Sequence, residues 1–263
     1  MTKSLYQEHY DYLAKHVITP FYNSRLNNLT SLHLTSVIKR KNPYLFKAKN
    51  IELAGDLVKS LVDAFLSSQE ETVFGNLLEG FAIHVSKIRY AGFKSELKSV
   101  DLEFERANIY YIVGIKYGTN WGNSDQVAKM RDNFKVAKAI LRERGITDEI
   151  VAVNGCIYGK DRWPLKRHSD PDKQYYKYAG QEFWQFISGD ENLYREIIAS
   201  IDKEARRKDE TFKKAYTAKI NEMTQDFMTS FITNNQIDWM KLIDYVSKRE
   251  ETKLAASRKR GKP

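Results

Sequence analysis

The sequences Val-Asp-Leu-Glu-Phe at residues 100–104 and Asn-Ile-Tyr-Tyr-Ile-Val-Gly-Ile-Lys at residues 108–116 decide the fold of this chain. Both segments have the apolar, β-branched and aromatic character of short β-strands. Because side chains alternate between the two faces of a strand, we expect Asp101 and Glu103 on one face. Lys116 ends the second strand. The two strands are therefore predicted to bring two carboxylates and an amine together at a strand edge.

These side-chain types suit metal-assisted cleavage of a phosphodiester. Carboxylates bind hard cations, the cation polarises the phosphate, and a lysine orients or activates the attacking water. Lys116 follows a largely apolar strand, so its amine needs a partner or a function. The alternative is that its side chain simply extends to solvent. Gly114 indicates close approach of another group to this strand, for which a metal or a phosphate is a candidate.

The same residues resemble the PD-(D/E)xK nuclease core, and the chain resembles a small type II restriction endonuclease over most of residues 30–200. The resemblance extends to three further segments: Lys-Asn-Pro-Tyr-Leu-Phe-Lys-Ala-Lys-Asn at 41–50, Tyr-Gly-Thr-Asn-Trp-Gly-Asn-Ser-Asp-Gln at 117–126 and Asn-Gly-Cys-Ile-Tyr-Gly at 154–159. The chain departs from the family pattern at two positions. No proline precedes Asp101, and Gly114 stands where the family usually has its second acid, so the triplet is Gly-Ile-Lys.

The resemblance implies a Mg²⁺ site with Asp101 as principal ligand and Lys116 as catalytic lysine. Glu103 is the nearest local substitute for the missing acid, and the carbonyl of Ile115 is implied as a neutral ligand. Glu79 lies on the helix before the strands, and related nucleases often take an acidic metal ligand from such a helix. The alternatives are a solvent-facing helix glutamate at this position, and a solvated strand edge for the two acids of the first strand.

The composition indicates a folded, basic protein. With 263 residues, of which 42% are hydrophobic and 13% aromatic, the chain is long enough for one large domain. The net charge of +9 and the pI near 9.3 favour a polyanionic partner, because nucleic-acid affinity comes largely from neutralising phosphates. A merely basic soluble protein is the alternative, and part of the charge lies in the terminal segment 257–263.

Several other classes have no support in the sequence. The single cysteine, Cys156, rules out a disulfide framework or a cysteine-rich zinc site and indicates a reducing compartment. The five histidines lack metal-ligand spacing, and no Walker, Rossmann or Gly-x-Ser-x-Gly pattern is present. There is no signal-peptide core and no apolar run of membrane-spanning length. We therefore expect a cytoplasmic protein without a membrane partner.

Hydrophobic periodicity predicts the order of helices and strands. Helices are expected at residues 4–18 (ending near Pro20), 24–38, 51–66, 71–88 (opened by a cap at Ser68), 124–143, 181–230 and 237–248. Strands are expected at residues 100–105, 109–116 and 149–157, and a loop at residues 159–180. A helix between the last two strands predicts a crossover connection and a parallel strand pair.

The fold class that follows is α/β (α+β), with a restriction-endonuclease-like mixed β-sheet flanked by helices and with helical N- and C-terminal additions. We expect a single endonuclease domain over residues 1–263, with its catalytic core at about 70–160. Residues 181–250 are expected to form a helical C-terminal part. Residues 251–263 are expected to be a basic, flexible tail.

The turn after the second strand is the first of three predicted DNA-contacting segments. Asn123 or Ser124 is expected to cap the following helix and to place its N-terminal amides near the active site, where they suit phosphate binding. The alternative is a good helix start without further function. The candidate DNA contacts of this segment are Asn120, Trp121, Asn123, Ser124, Gln126 and Lys129.

Base recognition needs side chains that offer paired hydrogen bonds, typically Arg or Lys to guanine and Asn or Gln to adenine. Residues 160–178 interleave cations with aromatic residues, and residues 39–49 form a second basic cluster. Either segment is alternatively a solvated loop. The candidate contacts are Lys160, Arg162, Lys166, Arg167 and His168 in the first segment and Lys41, Tyr44 and Lys47 in the second.

The sequence thus predicts a Mg²⁺-dependent, sequence-specific endonuclease for double-stranded DNA. The resemblance implies 5′-phosphate products and a cognate DNA methyltransferase that protects host DNA. Cutting both strands of a symmetric site calls for a homodimer. Two alternatives stay open: a structure-selective nuclease of repair or recombination, and a DNA-binding protein with a decayed nuclease site, which the glycine at 114 would explain.

Overall fold

A computed structural model describes residues 5–249 of the chain. Six strands in this range form one mixed β-sheet. They are β1 (Phe93–Lys94), β2 (Leu102–Arg106), β3 (Ile109–Lys116), β4 (Glu149–Cys156), β5 (Leu165–Lys166) and β6 (Tyr175–Ala179). In the sheet order β1-β2-β3-β4-β6-β5, the pairs β3–β4 and β4–β6 are parallel and the other pairs are antiparallel. The predicted parallel pair is confirmed.

Helices precede, connect and follow the strands. They are α1 (Leu5–Tyr12), α2 (Thr19–Thr30), α3 (Leu34–Lys39), α4 (Pro43–Ala48), α5 (Ala54–Tyr90), α6 (Ser124–Glu143), α7 (Gln181–Ser188), α8 (Leu193–Phe231) and α9 (Trp239–Ser247). A π-helical turn, Leu13–Ile18, joins α1 to α2. The short strands β7 (Ile232–Thr233) and β8 (Gln236–Ile237) form a hairpin. None of the helices within residues 5–249 has an apolar stretch long enough to cross a membrane.

The described residues divide into two compact units. The first contains the sheet and consists of the chain up to Ser24 together with Glu70–Asp209. The second consists of Arg25–Gln69 and of the chain from Glu210 onward. A mixed α/β architecture with helical N- and C-terminal regions is the fold class that the sequence predicts, and it is confirmed. The predicted basic tail, residues 251–263, lies outside the described residues.

Burial of the sheet on both faces explains the continuous apolar sequence of β3. On one face, Ile115 belongs to a core with Phe81 of α5 and Phe183 of α7. On the other face, Ile112 belongs to a core with Phe134 of α6. Helices thus cover both faces of the sheet. The carboxyl ends of the parallel strands β3, β4 and β6 meet at one edge of it. In sheets of this kind, ligand sites form at that edge.

The predicted helix break between residues 66 and 71 is wrong. One continuous helix, α5, runs through this region. Ser68 does not open a new helix; its hydroxyl donates to the carbonyl of Ala64 at 3.1 Å, one turn back in the same helix. A serine within a helix can satisfy its hydroxyl in this way, so its presence alone does not mark a helix start.

Pro20 does not end the first helix as predicted. The chain passes through the π-helical turn, whose widened spacing lets the amide of Thr19 donate to the carbonyl of Ala14, and continues into α2. Proline has no amide hydrogen and its ring crowds the preceding turn. The wider turn just before it leaves room for Pro20 without ending the helical path.

The predicted loop at residues 159–180 is wrong in part. The segment contains β5, a 3₁₀ turn at Pro171–Lys173 and β6, and β6 pairs in parallel with β4. The Tyr-Tyr-Lys-Tyr-Ala sequence of β6 has the aromatic content of a strand. The charged and proline-containing residues before it obscured that signal. Residues 39–49 likewise contain a short helix, α4, which begins at Pro43 and is capped by the side chain of Asn42.

A two-residue turn fixes the register between β2 and β3. Arg106 pairs with Ile109, so Ala107 and Asn108 form the turn, with φ angles of 54° and 59°. Positive φ at both positions is the geometry of a type I′ turn, which favours asparagine and glycine. Asparagine tolerates this conformation well, whereas alanine is strained in it.

We predict that Ala107→Gly stabilises the protein by about 1 kcal/mol, because glycine adopts positive φ without a Cβ clash. Thermal unfolding followed by circular dichroism measures the change. Ala139→Gly, at an exposed position inside α6, is the matched control and should destabilise by about 1 kcal/mol. A loss of stability in Ala107→Gly similar to that of the control would contradict the strain argument.

Candidate active site

Asp101 lies immediately before β2 and turns its carboxylate toward the end of β3. Its backbone amide donates to the carbonyl of Val113 at 2.8 Å, and its Oδ2 accepts from the amide of Ile115 at 2.6 Å. The Nζ of Lys116 lies 3.9 Å from the same oxygen. The two side chains are 25% and 28% exposed, respectively, so the pair is accessible at the carboxyl edge of the sheet. The structure therefore brings together the predicted acid and the predicted lysine.

Glu79 approaches this pair from α5. Its helix neighbours Leu78 and Phe81 are buried in the core beneath the sheet, which anchors this part of the helix. Burial raises the pKa of the Glu79 carboxyl and the charge of Asp101 raises it further, while Lys94 and Lys116 act in the opposite direction. The Nζ of Lys94 lies 3.9 Å from Glu79 Oε1. Glu79 thus shares an electrostatic environment with both members of the pair.

The structure does not bring Glu103 to this group. Glu103 is 3% exposed, and its Oε2 accepts a hydrogen bond from the hydroxyl of Tyr110 at 2.8 Å. In the ladder, Glu103 lies opposite Ile112, on the face covered by α6. Burial, followed by the hydrogen bond to Glu103, raises the pKa of Tyr110. This geometry gives Glu103 a structural partner inside the sheet.

The close neighbour of Gly114 is protein. A Cβ atom at this position would lie 2.9 Å from the carbonyl oxygen of Ser99 and 3.4 Å from the ring of Phe134. Ser99 itself has a positive φ of 63°, which holds the turn before Asp101 against β3. The glycine is therefore explained by close packing against the protein itself, whereas the sequence analysis had considered a metal or a phosphate. The position of the family's second acid is closed to any side chain unless the backbone moves.

Lys116 borders a small cavity between β3 and α6. Its Nζ lies 5.5 Å from the centre of the Trp121 ring, over the ring face. The cavity has a volume of about 370 Å³, and its lining includes Lys116, Trp121, Gln126 and Lys129. Lys129 is exposed on the first turns of α6. The cavity therefore places a second cation, Lys129, and the start of α6 beside Lys116.

The predicted cap of α6 is confirmed, and Asn123 is the capping residue of the two candidates. Asn123 Oδ1 accepts from the amide of Gln126 at 3.0 Å, and Gln126 Oε1 accepts from the amide of Asn123 at 2.9 Å. The two side chains thus form a reciprocal capping box. Asn120 and Ser124 are exposed in the same segment. A DNA contact of these four residues stays a prediction, and for the two capping residues it would have to coexist with the cap.

The predicted recognition segment after β4 is exposed at Lys160, Arg162 and Arg167. Lys166, by contrast, pairs with Asp161 at 2.7 Å. His168 is also exposed, and its Nδ1 accepts from the amide of Asp170 at 3.0 Å, which leaves Nε2 as the hydrogen-bearing nitrogen of the neutral ring. The segment therefore contains both solvent-facing cations and cations that hold the chain in place.

The basic cluster at residues 39–49 belongs to the second unit and is partly engaged there. Lys41 Nζ donates to the carbonyl of Ala64 at 2.6 Å. Lys47 Nζ lies 5.3 Å from the centre of the Trp239 ring. Tyr44 is 68% exposed on α4. Tyr44 and Lys47 are thus the exposed candidates in this cluster, whereas Lys41 is partly buried.

The donor set at the carboxyl edge fits a hard cation that also binds phosphate. Magnesium is commonly held by one or two carboxylates, with water and substrate phosphate completing its shell. Asp101 and Glu79 provide two such carboxylates, although residues 5–249 contain no group of three or more His, Cys, Asp or Glu side chains arranged to hold a metal.

The buried thiol of Cys156, in β4, is not an activated nucleophile. Burial raises the pKa of this thiol to about 11, so it is protonated at neutral pH.

Sequence reasoning missed two lysines near the site. Lys94, on the edge strand β1, faces Glu79, and Lys177, on β6, donates to the carbonyl of Thr119 in the segment after β3. Both lie on strands that the sequence analysis did not identify. The alternating aromatic residues of β6 were the available signal for Lys177.

A mixed sheet between helices, with a carboxylate and a lysine paired at the end of a central strand, is the architecture of a restriction-endonuclease-like enzyme. The family model described as "Type II restriction endonuclease EcoO109I" matches residues 8–209, well over half of the 263 residues. The chain belongs to this family and is a type II site-specific deoxyribonuclease. No curated protein matches the chain.

We predict that Gly114→Ala destabilises the protein by about 1–3 kcal/mol, because the new methyl group meets the Ser99 carbonyl. Gly114→Glu should destabilise it further and should not raise activity. Gly55→Ala in α5 is the control, because a Cβ there meets nothing closer than 4.0 Å, and it should be neutral or stabilising. Thermal unfolding separates these outcomes. An active, fully stable Gly114→Glu variant would show that the strand position can accept the acid.

Proposed function

We propose that this restriction endonuclease hydrolyses phosphodiester bonds of double-stranded DNA in a Mg²⁺-dependent reaction of the PD-(D/E)xK type. The observation that carries the proposal is the Asp101–Lys116 pair, held by the Ile115 amide at the carboxyl edge of the sheet. The expected products carry 5′-phosphate and 3′-hydroxyl ends. Sequence-specific cleavage is the activity that the family membership supports.

The proposed metal ligands are Asp101 and Glu79, with the carbonyl of Ile115 as a neutral ligand. When bound, Mg²⁺ supplies positive charge that stabilises the developing charge on the phosphate. The hydrogen bond from the Ile115 amide orients the Asp101 carboxylate, and the helix core anchors Glu79. We leave Glu103 out of the ligand set, because its carboxylate is buried and bonded to Tyr110.

Lys116 is proposed to position the attacking water and to stabilise negative charge in the transition state. Its ammonium group is held by Asp101 on one side and by the face of Trp121 on the other. A fixed cation beside the reacting phosphate stabilises the transition state more strongly in a partly buried site than in open water. The water attacks the phosphorus in line with the P–O3′ bond and gives up a proton as it does so. The P–O3′ bond breaks, O3′ leaves and takes up a proton, and the phosphate stays on the 5′ end of the other fragment.

DNA binding is proposed along the carboxyl edge of the first unit. The exposed cations Lys129, Lys160, Arg162 and Arg167 are suited to phosphates or base edges. Phosphate contacts make affinity strongly dependent on salt concentration. We also propose a homodimer, because two active sites related by a two-fold axis cut both strands of a symmetric site. A cognate methyltransferase and a cytoplasmic location complete the proposal.

A DNA-binding protein with a decayed site is the second candidate, because Gly114 removes the acid of the strand. The simplest test is incubation of the protein with unmethylated phage DNA in Mg²⁺ or in EDTA. Discrete fragments that need Mg²⁺ support the nuclease, and sequencing their ends gives the site and the 5′-phosphate chemistry. DNA binding without cleavage across several substrates would favour the decayed site.

We predict that Asp101→Asn and Lys116→Met each lower the single-turnover cleavage rate by at least about 100-fold, because each removes charge that acts on the reacting phosphate. Glu103→Gln is the matched acid-to-amide control. It keeps an acceptor for Tyr110 and should retain cleavage within a few-fold of the wild type. A loss in Glu103→Gln equal to that in Asp101→Asn would return Glu103 to the metal site.

We predict that Glu79→Gln weakens Mg²⁺ activation, so that the metal concentration for half-maximal cleavage rises about ten-fold or more, because one charged oxygen ligand is lost. Isothermal titration of Mg²⁺ into the complex with a duplex whose scissile phosphates are replaced by a non-hydrolysable analogue measures the metal affinity without turnover. Glu105→Gln, an exposed acid on β2, is the control. Equal metal dependence in Glu79→Gln and the wild type would remove Glu79 from the ligand set.

A further inference from the structure

A largely buried carboxylate, that of Asp161, holds the segment Lys160–His168, here called the recognition loop. Asp161 is the hub: its side chain is 13% exposed and accepts from Lys166 Nζ at 2.7 Å. A second lysine, Lys177 of β6, approaches its other oxygen at 3.4 Å. The same carboxylate accepts from the backbone amide of Trp163 at 3.0 Å. One side chain thus makes two contacts within the loop and a third that ties the loop to β6.

Lys177 extends this network to the segment that follows β3. Besides Asp161, its Nζ donates to the carbonyl of Thr119 at 3.0 Å, in the segment that follows Lys116. Its backbone amide donates to the carbonyl of Pro164 at 2.7 Å, and its side chain is 16% exposed. Lys177 therefore joins the recognition loop, the sheet and the exit of β3. We call Asp161, Lys166 and Lys177 the lysine–aspartate lock.

The lock is electrostatically satisfied. Burial by itself raises the pKa of the Asp161 carboxyl, but the hydrogen bonds from Lys166 and Trp163 and the charges of the two lysines outweigh it, so its pKa lies below the ordinary value. Removing the carboxylate would leave two partly buried ammonium groups without their partner, which is costly. The loop conformation therefore depends on this one charge.

The residue that the lock presents to solvent is Trp163. Its side chain is 73% exposed, although its backbone amide is tied to Asp161. The guanidinium of Arg162 lies 6.0 Å from the centre of its ring. A large aromatic ring held outward beside exposed cations has the character of a stacking surface for bases, whose affinity comes from ring contact as well as from charge.

We propose that Trp163 is a DNA contact that stacks on a base, and that the lysine–aspartate lock positions it and couples it to the segment that follows β3. The inference rests on the proposed function, since it needs a protein that binds and cuts double-stranded DNA. It deepens that function by separating the loop residues into two groups. Trp163 and Arg162 contact DNA, whereas Lys166 acts on the loop itself.

The contact is tested by binding of full-length protein, in EDTA, to a duplex that carries the cut site found with phage DNA. Trp163→Ala should weaken binding about 10- to 100-fold, because a stacked base is lost. The affinity of Trp163→Ala should depend on salt concentration as strongly as that of the wild type. The affinity of Arg162→Ala should depend on salt less strongly, because a phosphate contact is lost. Trp163→Phe should recover most of the affinity. Tyr6→Ala removes another exposed aromatic side chain, at 47% exposure, and should bind as the wild type does.

The lock is tested by Asp161→Asn and Lys177→Met, with Lys177→Arg as the conservative variant that keeps the charge. At saturating DNA, the first two should lower the single-turnover rate about ten-fold or more, and Lys177→Arg should recover part of it. A purely structural role would lower thermal stability and leave this rate and the affinity unchanged. The variant that combines Asp161→Asn with Trp163→Ala should bind no more weakly than Asp161→Asn alone, since the lock acts through the tryptophan.

Two failures are distinguishable. If the wild type neither binds nor cuts any duplex, the proposed function fails and the inference fails with it. If the wild type cuts and Trp163→Ala binds within two-fold of it, the inference alone is overturned. Additive losses in the combined variant would likewise separate the lock from the tryptophan. Because Trp163 is exposed, its variants test the contact even where a lock variant fails to fold.

Discussion

The hydrogen bond from the Ile115 amide to the Asp101 carboxylate is the interaction on which the site depends. β2 begins at Leu102, so Asp101 stands one residue outside the strand, and its side chain takes the place of the next rung of the ladder. This turns the carboxylate along β3 toward Lys116. The register that permits it is set at the other end of the hairpin by the two-residue turn. A slip of one residue would exchange the two faces of the hairpin and separate the acid from the lysine.

Features with a local cause were predictable from the sequence. The apolar run of β3 and the periodicity of α6 give their observed bounds, and the chemistry of Asn123 and Gln126 gives the cap between them. The parallel pairing of β3 with β4 followed from the helix that joins them. In each case the information lies within one element or in the connection between consecutive elements, where side-chain spacing and turn chemistry act directly.

Features with a distant cause were not predictable. β6 is stabilised by pairing with β4 across a charged segment, and nothing local marks that partner. The alternation rule predicted that Asp101 and Glu103 act together, but Glu103 is buried and accepts a hydrogen bond from Tyr110 of the neighbouring strand. Position 114 requires a glycine because the carbonyl of Ser99 approaches it from the preceding turn. Contacts of this kind belong to the folded chain and leave no spacing pattern in the sequence.

The closed environment of Gly114 has a consequence for how the chemistry is distributed. Magnesium is commonly held by one or two carboxylates, and β3 has no room for a second acid unless the turn at Ser99 moves. Glu79 reaches the same electrostatic environment from α5, a helix fixed by Leu78 and Phe81. The raised pKa of Glu79 reflects burial beside another carboxylate, an arrangement that a cation relieves. The proposed ligand on the helix therefore leaves the packing between β3 and the turn before Asp101 undisturbed.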